Sequence, residues 1–220
     1  NNNTMKKLAL LLLLVSLNSC HLENTDKQVS ETPIDKLING NKRFVEGNSL
    51  NIHHDLEAVA NSSKKQHPFA VVLTCSDSRV DPDIIFDQGI GDLFIVKNAG
   101  NVISDIDFGT IEYAVEHLNV KLIVVMGHTD CGAVKAFVGD KDKGFKQHHS
   151  HIDDILDSID HEKEIKDIPS KTDNYLSSCI KANALHSATS LKNDALIKKH
   201  NVQVVQFLYD VQTGKATKID

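Results

Sequence analysis

The chain has 220 residues, 40% of them hydrophobic and 25% charged, with a formal net charge of −6. That length and apolar content suit one domain with its own core, and no internal repeat or low-complexity block points to an array. The acidic balance, with lysines scattered rather than striped, argues against nucleic acid as a partner.

The chain opens as an address rather than as fold: Lys6-Lys7, the apolar stretch Leu8 to Leu17, then Asn18-Ser19-Cys20. The stretch is too short to span a bilayer as a mature helix. A basic start, a leucine core and a small residue before cysteine resemble a bacterial lipoprotein signal, with Leu17 to Cys20 as the lipobox. The resemblance implies that segment 1–19 is cleaved, that Cys20 is lipidated, and that residues 20–32 form a polar tether. Residues 33–220 then form the folded domain on the periplasmic side of the envelope, touching the membrane through the lipid only.

From Pro33 to Gly47 apolar residues recur at mixed helical spacing, and a second short helix is expected between Asn48 and Asn61. Phe69 to Leu73 is a short continuous apolar run after Pro68, which suits a strand buried on both faces. Leu93 to Val96 and Leu122 to Met126 repeat that signature. Between them Phe108, Ile111, Ala114, Val115 and Leu118 keep helical spacing, predicting a strand-helix-strand unit, a parallel pair and a right-handed crossover. Helices are expected over Ala133 to Val138, Ile152 to Ile159 and Tyr175 to His200. Val202 to Tyr209 reads as a fourth strand, and Thr213-Gly214 turns toward an edge segment ending at Ile219. The fold class is α/β, a three-layer domain with a mostly parallel central sheet of four to five strands.

The chemistry gathers where two of these strands end. Cys75-Ser76-Asp77-Ser78-Arg79 follows the first, and His128-Thr129-Asp130-Cys131-Gly132 follows the third. Open α/β sheets place their chemistry at the carboxyl ends of strands. Cys75, His128 and Cys131 supply three of the four positions of one zinc ion, the count typical of a catalytic site. A Cys75–Cys131 disulfide is the competing reading in an oxidising compartment, but lipidation of Cys20 leaves an odd number of cysteines. Cys179 is simplest as a buried small hydrophobe.

Asp77 either binds the metal or accepts a hydrogen bond from water held there. Arg79 decides between these states, because its planar fork can hold Asp77 at two points and keep it ionised. It is one of two arginines, with Arg43, in a chain that otherwise uses lysine. His148-His149-Ser150-His151 and His53-His54 read as exposed polar surface. Asp130, beside a ligand, either joins the site or points to solvent.

These motifs resemble those of the β-class carbonic anhydrases. The resemblance runs from Gly40-Asn41-Lys42-Arg43-Phe44 through Cys75 to Val80, Gly91-Asp92-Leu93-Phe94, Asn98-Ala99-Gly100-Asn101 and Glu112-Tyr113-Ala114-Val115. It continues over Gly127-His128 and Cys131-Gly132-Ala133 to Leu208-Tyr209-Asp210-Val211. It implies Cys75, His128 and Cys131 as ligands of one zinc per subunit, Asp77 with Arg79 as a carboxylate-arginine dyad, and Gln66 as a hydrogen-bond donor to substrate. It further implies reversible hydration of carbon dioxide to bicarbonate by hydroxide on zinc, in a homodimer or homotetramer. In a closed state Asp77 becomes the fourth ligand. Two thiolates acidify water less than imidazoles, so activity is expected to rise through mildly alkaline pH. Lys97 stands where many relatives have arginine, and without tryptophan the inhibitory bicarbonate site of some relatives is not expected. A silent zinc-binding lipoprotein and a hydrolase of a carbon dioxide analogue are the other readings of the same residues.

Overall fold

The computed structural model describes residues 31–141, 150–170 and 172–219. The expected signal segment, Cys20, the tether up to residue 30, His148 and His149 lie outside the described residues. In chain order the helices are α1 Pro33–Val45, α2 Leu56–Ser62, α3 Pro82–Ile85, α4 Asp105–His117, α5 Gly132–Lys141, α6 His151–His161, α7 Lys163–Lys166, α8 Tyr175–Asn193 and α9 Ala195–Lys199. The strands are β1 Ala70–Cys75, β2 Leu93–Asn98, β3 Leu122–His128, β4 Gln203–Tyr209 and β5 Ala216–Ile219. Among the described residues no helix is long and apolar enough to cross a membrane.

The five strands form one sheet in the order β2-β1-β3-β4-β5, parallel except for β5. The strand-helix-strand unit expected around α4 exists, but β2 and β3 are not hydrogen-bonded neighbours, because β1 lies between them. Burial explains the order. Every residue of β1 is buried, whereas β2 buries only Val96 fully and carries Lys97 and Asn98 at its end, which suits an edge.

Alternation along the strands divides the core in two. Val71, Leu73, Ile123, Val125 and Val204 face Ile111 and Val115 of α4, Ala184, Ala188 and Leu191 of α8, and Ile197 of α9. Ala70, Val72, Val124, Met126 and Phe207 face Leu37 of α1 and Ile85 of α3 on the other side. The result is three layers. A third cluster, including Val134, Phe137, Leu156, Ile159, Ile165 and Ile180, encloses Cys75 and Cys131.

Local chemistry sets the helix ends. Thr32 caps α1 ahead of Pro33, and Ser104 with Asp107 forms a capping box on α4. The helix expected from Tyr175 to His200 is broken at Asp194, whose extended backbone ends α8 and whose carboxylate caps α9 through the Ile197 N–H at 2.9 Å. Arg43, the second arginine, is structural. It holds buried Asp87 at 2.6 Å, and Asp87 also accepts from the N–H groups of Leu50 and Asn51. Asn41 on α1 donates to the carbonyls of Ile85 and Gly214 and accepts from the Ala216 N–H at 2.9 Å, joining the first helix to the last strand.

Candidate active site

After β1 the chain leaves toward β2, and after β3 it leaves toward β4, so the topological switch point falls between β1 and β3. Cys75 ends β1 and His128 ends β3. Thr74 fixes these strand ends together by donating its hydroxyl to the Met126 carbonyl at 2.8 Å. Cys131 stands at the start of α5, its carbonyl accepting the first helical hydrogen bond from Lys135 N–H at 2.9 Å.

The switch point therefore collects the three donors. Cys75 is 4%, His128 0% and Cys131 1% exposed, and their ligand atoms all lie within 4.8 Å of one another. The two sulfurs are 4.0 Å apart, far beyond a bond between them. Two thiolates on one tetrahedral zinc sit about 3.8 Å apart, so the spacing suits a shared metal better than a disulfide.

His128 is oriented for the same purpose. Its Nδ1 lies 2.9 Å from the Thr129 carbonyl, an acceptor, so Nδ1 carries the proton and Nε2 keeps its lone pair. That Nε2 is buried with no hydrogen-bond partner among the described residues. A buried orphan acceptor is costly unless something binds it, and a cation beside two thiols meets that need.

The sulfurs carry a matching demand. Cys131's thiol, donating toward Cys75, lowers Cys75 to about 4 against the opposing effect of burial, helped by the neighbouring His128 imidazole, the Gly100 N–H at 3.3 Å and the Asp77 N–H at 3.4 Å. The same neighbour pushes the Cys131 thiol up, because a second charge would form beside the first. Two buried sulfurs this close resist carrying two negative charges, a cost that a shared cation would offset.

Asp77 and Arg79 form the fork expected from their spacing. Arg79 Nε donates to Asp77 Oδ1 at 3.0 Å and Nη2 to Oδ2 at 2.8 Å, while the Arg79 backbone N–H adds a third bond at 2.9 Å. The guanidinium holds the Asp77 carboxyl well below the usual carboxylate range. Asp77 is outside the three-donor metal group.

Asp130 belongs to this network. It accepts from Arg79 Nη1 at 3.3 Å and from Lys135 Nζ at 2.5 Å, while its carbonyl faces Arg79 Nη2 at 3.4 Å. Lys97 donates to the Val80 carbonyl at 2.6 Å and so ties β2 to the loop carrying the dyad. Sequence reasoning assigned neither contact; the left-handed backbone of Asp130, φ 61°, aims its carboxylate across the two loops.

The structure does not bring Gln66 to this cluster. It precedes β1, exposed in a cleft with Tyr113, His117 and Leu118, while Cys75 ends that strand. The strand alone separates the two ends by about 16 Å. His53 pairs with Asp92 at 2.8 Å and His54 bonds to the Gln88 carbonyl at 2.9 Å, so both tie loops. His151 is exposed at the start of α6, and Cys179 is buried in the apolar cluster behind the metal donors.

A family model described as carbonic anhydrase matches residues 70–216, which contain β1 to β4 and all three donors. The chain belongs to the carbonic anhydrase family. A carbonic anhydrase of Mycolicibacterium smegmatis is 51% identical over 108 residues, 49% of this chain and 52% of that protein. One of Synechococcus elongatus is 29% identical over 200 residues, covering 84% of this chain and 71% of that one. The chain spans about half the length of the Mycolicibacterium smegmatis protein and of two Mycobacterium tuberculosis carbonic anhydrases that it also matches at 51% identity.

The fold is that of β-class carbonic anhydrases. The β-carbonic anhydrase CcaA aligns with a TM-score of 0.66 at 26% identity, covering 85% of this chain and 95% of its own. A structure from Sordaria macrospora, described among two tetrameric β-carbonic anhydrases, aligns with a TM-score of 0.64 at 25% identity, covering 82% and 93%.

Proposed function

We propose that this chain catalyses the reversible hydration of carbon dioxide to bicarbonate and a proton, with one zinc per subunit held by Cys75, His128 and Cys131. The observation that carries the reading is the buried orphan Nε2 of His128 beside two sulfurs, with an arginine-held carboxylate on the adjoining loop. Bound there, zinc supplies a Lewis acid that makes a nucleophile available from water near neutral pH.

The chain's own residues aim that chemistry. Asp77, kept ionised by Arg79, offers an acceptor for the nucleophile's proton and so orients its lone pair toward carbon dioxide. Arg79, anchored by Asp130, resists movement of Asp77 onto the metal. The closed state, with Asp77 as fourth ligand, requires this fork to break. The Val134, Phe137 and Ile159 side chains exclude water from the thiolate side.

Gln66 is assigned to substrate in a homodimer or homotetramer. Because it precedes β1 and the metal donors follow it, its partner site belongs to a second copy rather than to its own chain. Lipidation at Cys20, periplasmic location and the boundaries 1–19, 20–32 and 33–220 complete the reading. Incorporation of a labelled fatty acid, lost in Cys20→Ala, is its test.

Stopped-flow carbon dioxide hydration by the zinc-loaded chain tests the activity directly. Rapid turnover rising through mildly alkaline pH is expected. No turnover at any pH with zinc bound overturns the assignment.

A further inference from the structure

Between β2 and α4 the chain makes a tight 3-10 turn, Ala99–Asn101, with Gly100 at φ 82°. This turn touches the metal centre by one atom, since the Gly100 N–H points at Cys75 Sγ from 3.3 Å. It leaves little room for error. A Cβ on Gly100 would lie 2.9 Å from the Ala133 side chain on α5.

Two side chains of α8 hold the turn from behind. Asn183 Nδ2 donates to the Gly100 carbonyl at 2.6 Å, and Ser187 Oγ donates to the Asn101 carbonyl at 3.0 Å. They are four residues apart, on one face of the helix, and are 1% and 0% exposed. Around them α8 buries Ile180, Ala184, Ala188 and Leu191. Packing alone does not call for an amide in that surface. Asn183 even leaves its Oδ1 buried without a partner among the described residues, a cost an apolar side chain would avoid. What the amide supplies is a proton for one carbonyl.

We propose that Asn183, supported by Ser187, is a positioning residue for the metal centre, acting through the Gly100–Asn101 turn to aim the Gly100 N–H at the Cys75 thiolate. The two anchored carbonyls hold the peptide planes that follow Gly100 and Asn101, and with Gly100 in its left-handed φ of 82° they constrain how the preceding plane, which carries the Gly100 N–H, meets Cys75. A hydrogen bond to a metal-bound thiolate draws charge from sulfur and lowers its donation to the metal. Asn183 thus tunes the ligand without touching it. The inference rests on the metal-site reading, but not on the identity of the substrate.

The test uses the full chain loaded with cobalt, whose thiolate-to-metal charge-transfer band reports charge on sulfur. Asn183→Leu conserves bulk and removes the donor; Ser187→Ala removes the second donor with little change in volume. The band is expected to move to longer wavelength in Asn183→Leu and by less in Ser187→Ala, while Leu191→Val, on the same helix away from the turn, leaves it in place. Should Asn183→Leu fail to fold, the Ser187→Ala band decides. An unmoved band in folded, cobalt-loaded variants overturns the proposal and leaves these residues as packing. A shifted band in a protein that does not hydrate carbon dioxide keeps the positioning role and removes the enzymatic one. No thiolate band in the unsubstituted chain overturns this inference together with the metal centre.

Discussion

Arg79 divides one guanidinium between two carboxylates, and the division is unequal. Asp77 receives a two-point fork, Asp130 a longer bond that it shares with Lys135. Arg79→Lys removes the fork, since an ammonium is a point charge; kcat/KM should fall at least tenfold, on the order of 1.4 kcal/mol, with zinc content unchanged. Stopped-flow kinetics beside metal analysis checks it. The pairing with Asp77 is legible in sequence because two residues of one turn meet locally. The Asp130 contact spans 51 positions and depends on a left-handed backbone, which no local pattern announces. Glu162 was equally silent. It is 2% exposed, its Oε2 has no partner among the described residues, and burial, then Glu164, pushes its carboxyl up to about 8. An unfolded glutamate ionises near 4.3, so between that pH and about 8 the folded state binds the extra proton and stability falls as pH rises. Glu162→Gln should therefore raise the melting temperature by several degrees at pH near 7.5, and the gain should vanish near pH 4.5. Thermal melts of both proteins across that range give the answer.

Glycine has opposite meanings in two helices. Gly109 of α4 has nothing within 4 Å of an added Cβ, whereas Gly40 of α1 would place that atom 1.8 Å from the Phe86 carbonyl oxygen. Gly109→Ala should stabilise by about 0.5–1 kcal/mol through helix propensity. Gly40→Ala should destabilise by about 2 kcal/mol or more, because α1 must lift away from Phe86. Denaturant unfolding of the two variants should show midpoints moving in opposite directions. Sequence makes both glycines look alike; only the approach of α1 to the turn after α3 separates them. The strands β1, β2 and β3 were readable as unbroken apolar runs. Their order was less so, because the position of β1 between β2 and β3 depends on which runs are covered on both faces. The four-residue helices α3 and α7 are too short for periodicity to register, although Asp81-Pro82 is a helix-start signature. The break at Asp194 was likewise marked by a capping residue inside an otherwise helical stretch.

The sheet separates Gln66 from the metal donors of its own chain, and this makes the assembly testable. A Gln66→Ala chain and a Cys75→Ser chain should each be weakly active alone. Mixed assemblies should regain activity, since one site then joins an intact metal centre to an intact Gln66 of the neighbouring copy. No recovery in verified mixed assemblies would remove Gln66 from the reaction or return it to its own chain. The three metal donors were legible because two strand ends announce them; Gln66's distance from them was not, since a motif gives separation along the chain and not across the sheet. The same distinction gives the Asn41 clasp its consequence. Its acceptor meets a backbone N–H 175 residues further on, in the final strand. The first helix among the described residues is thus among the last to be secured. A ribosome that has delivered α1 through β4 has made a sheet whose face toward α1 and α3, with Phe207 on it, still lacks Ala216 and the clasp. Closure of this face of the sheet then waits for Ala216, and chains stopped short of it should be open to proteolysis first around α1.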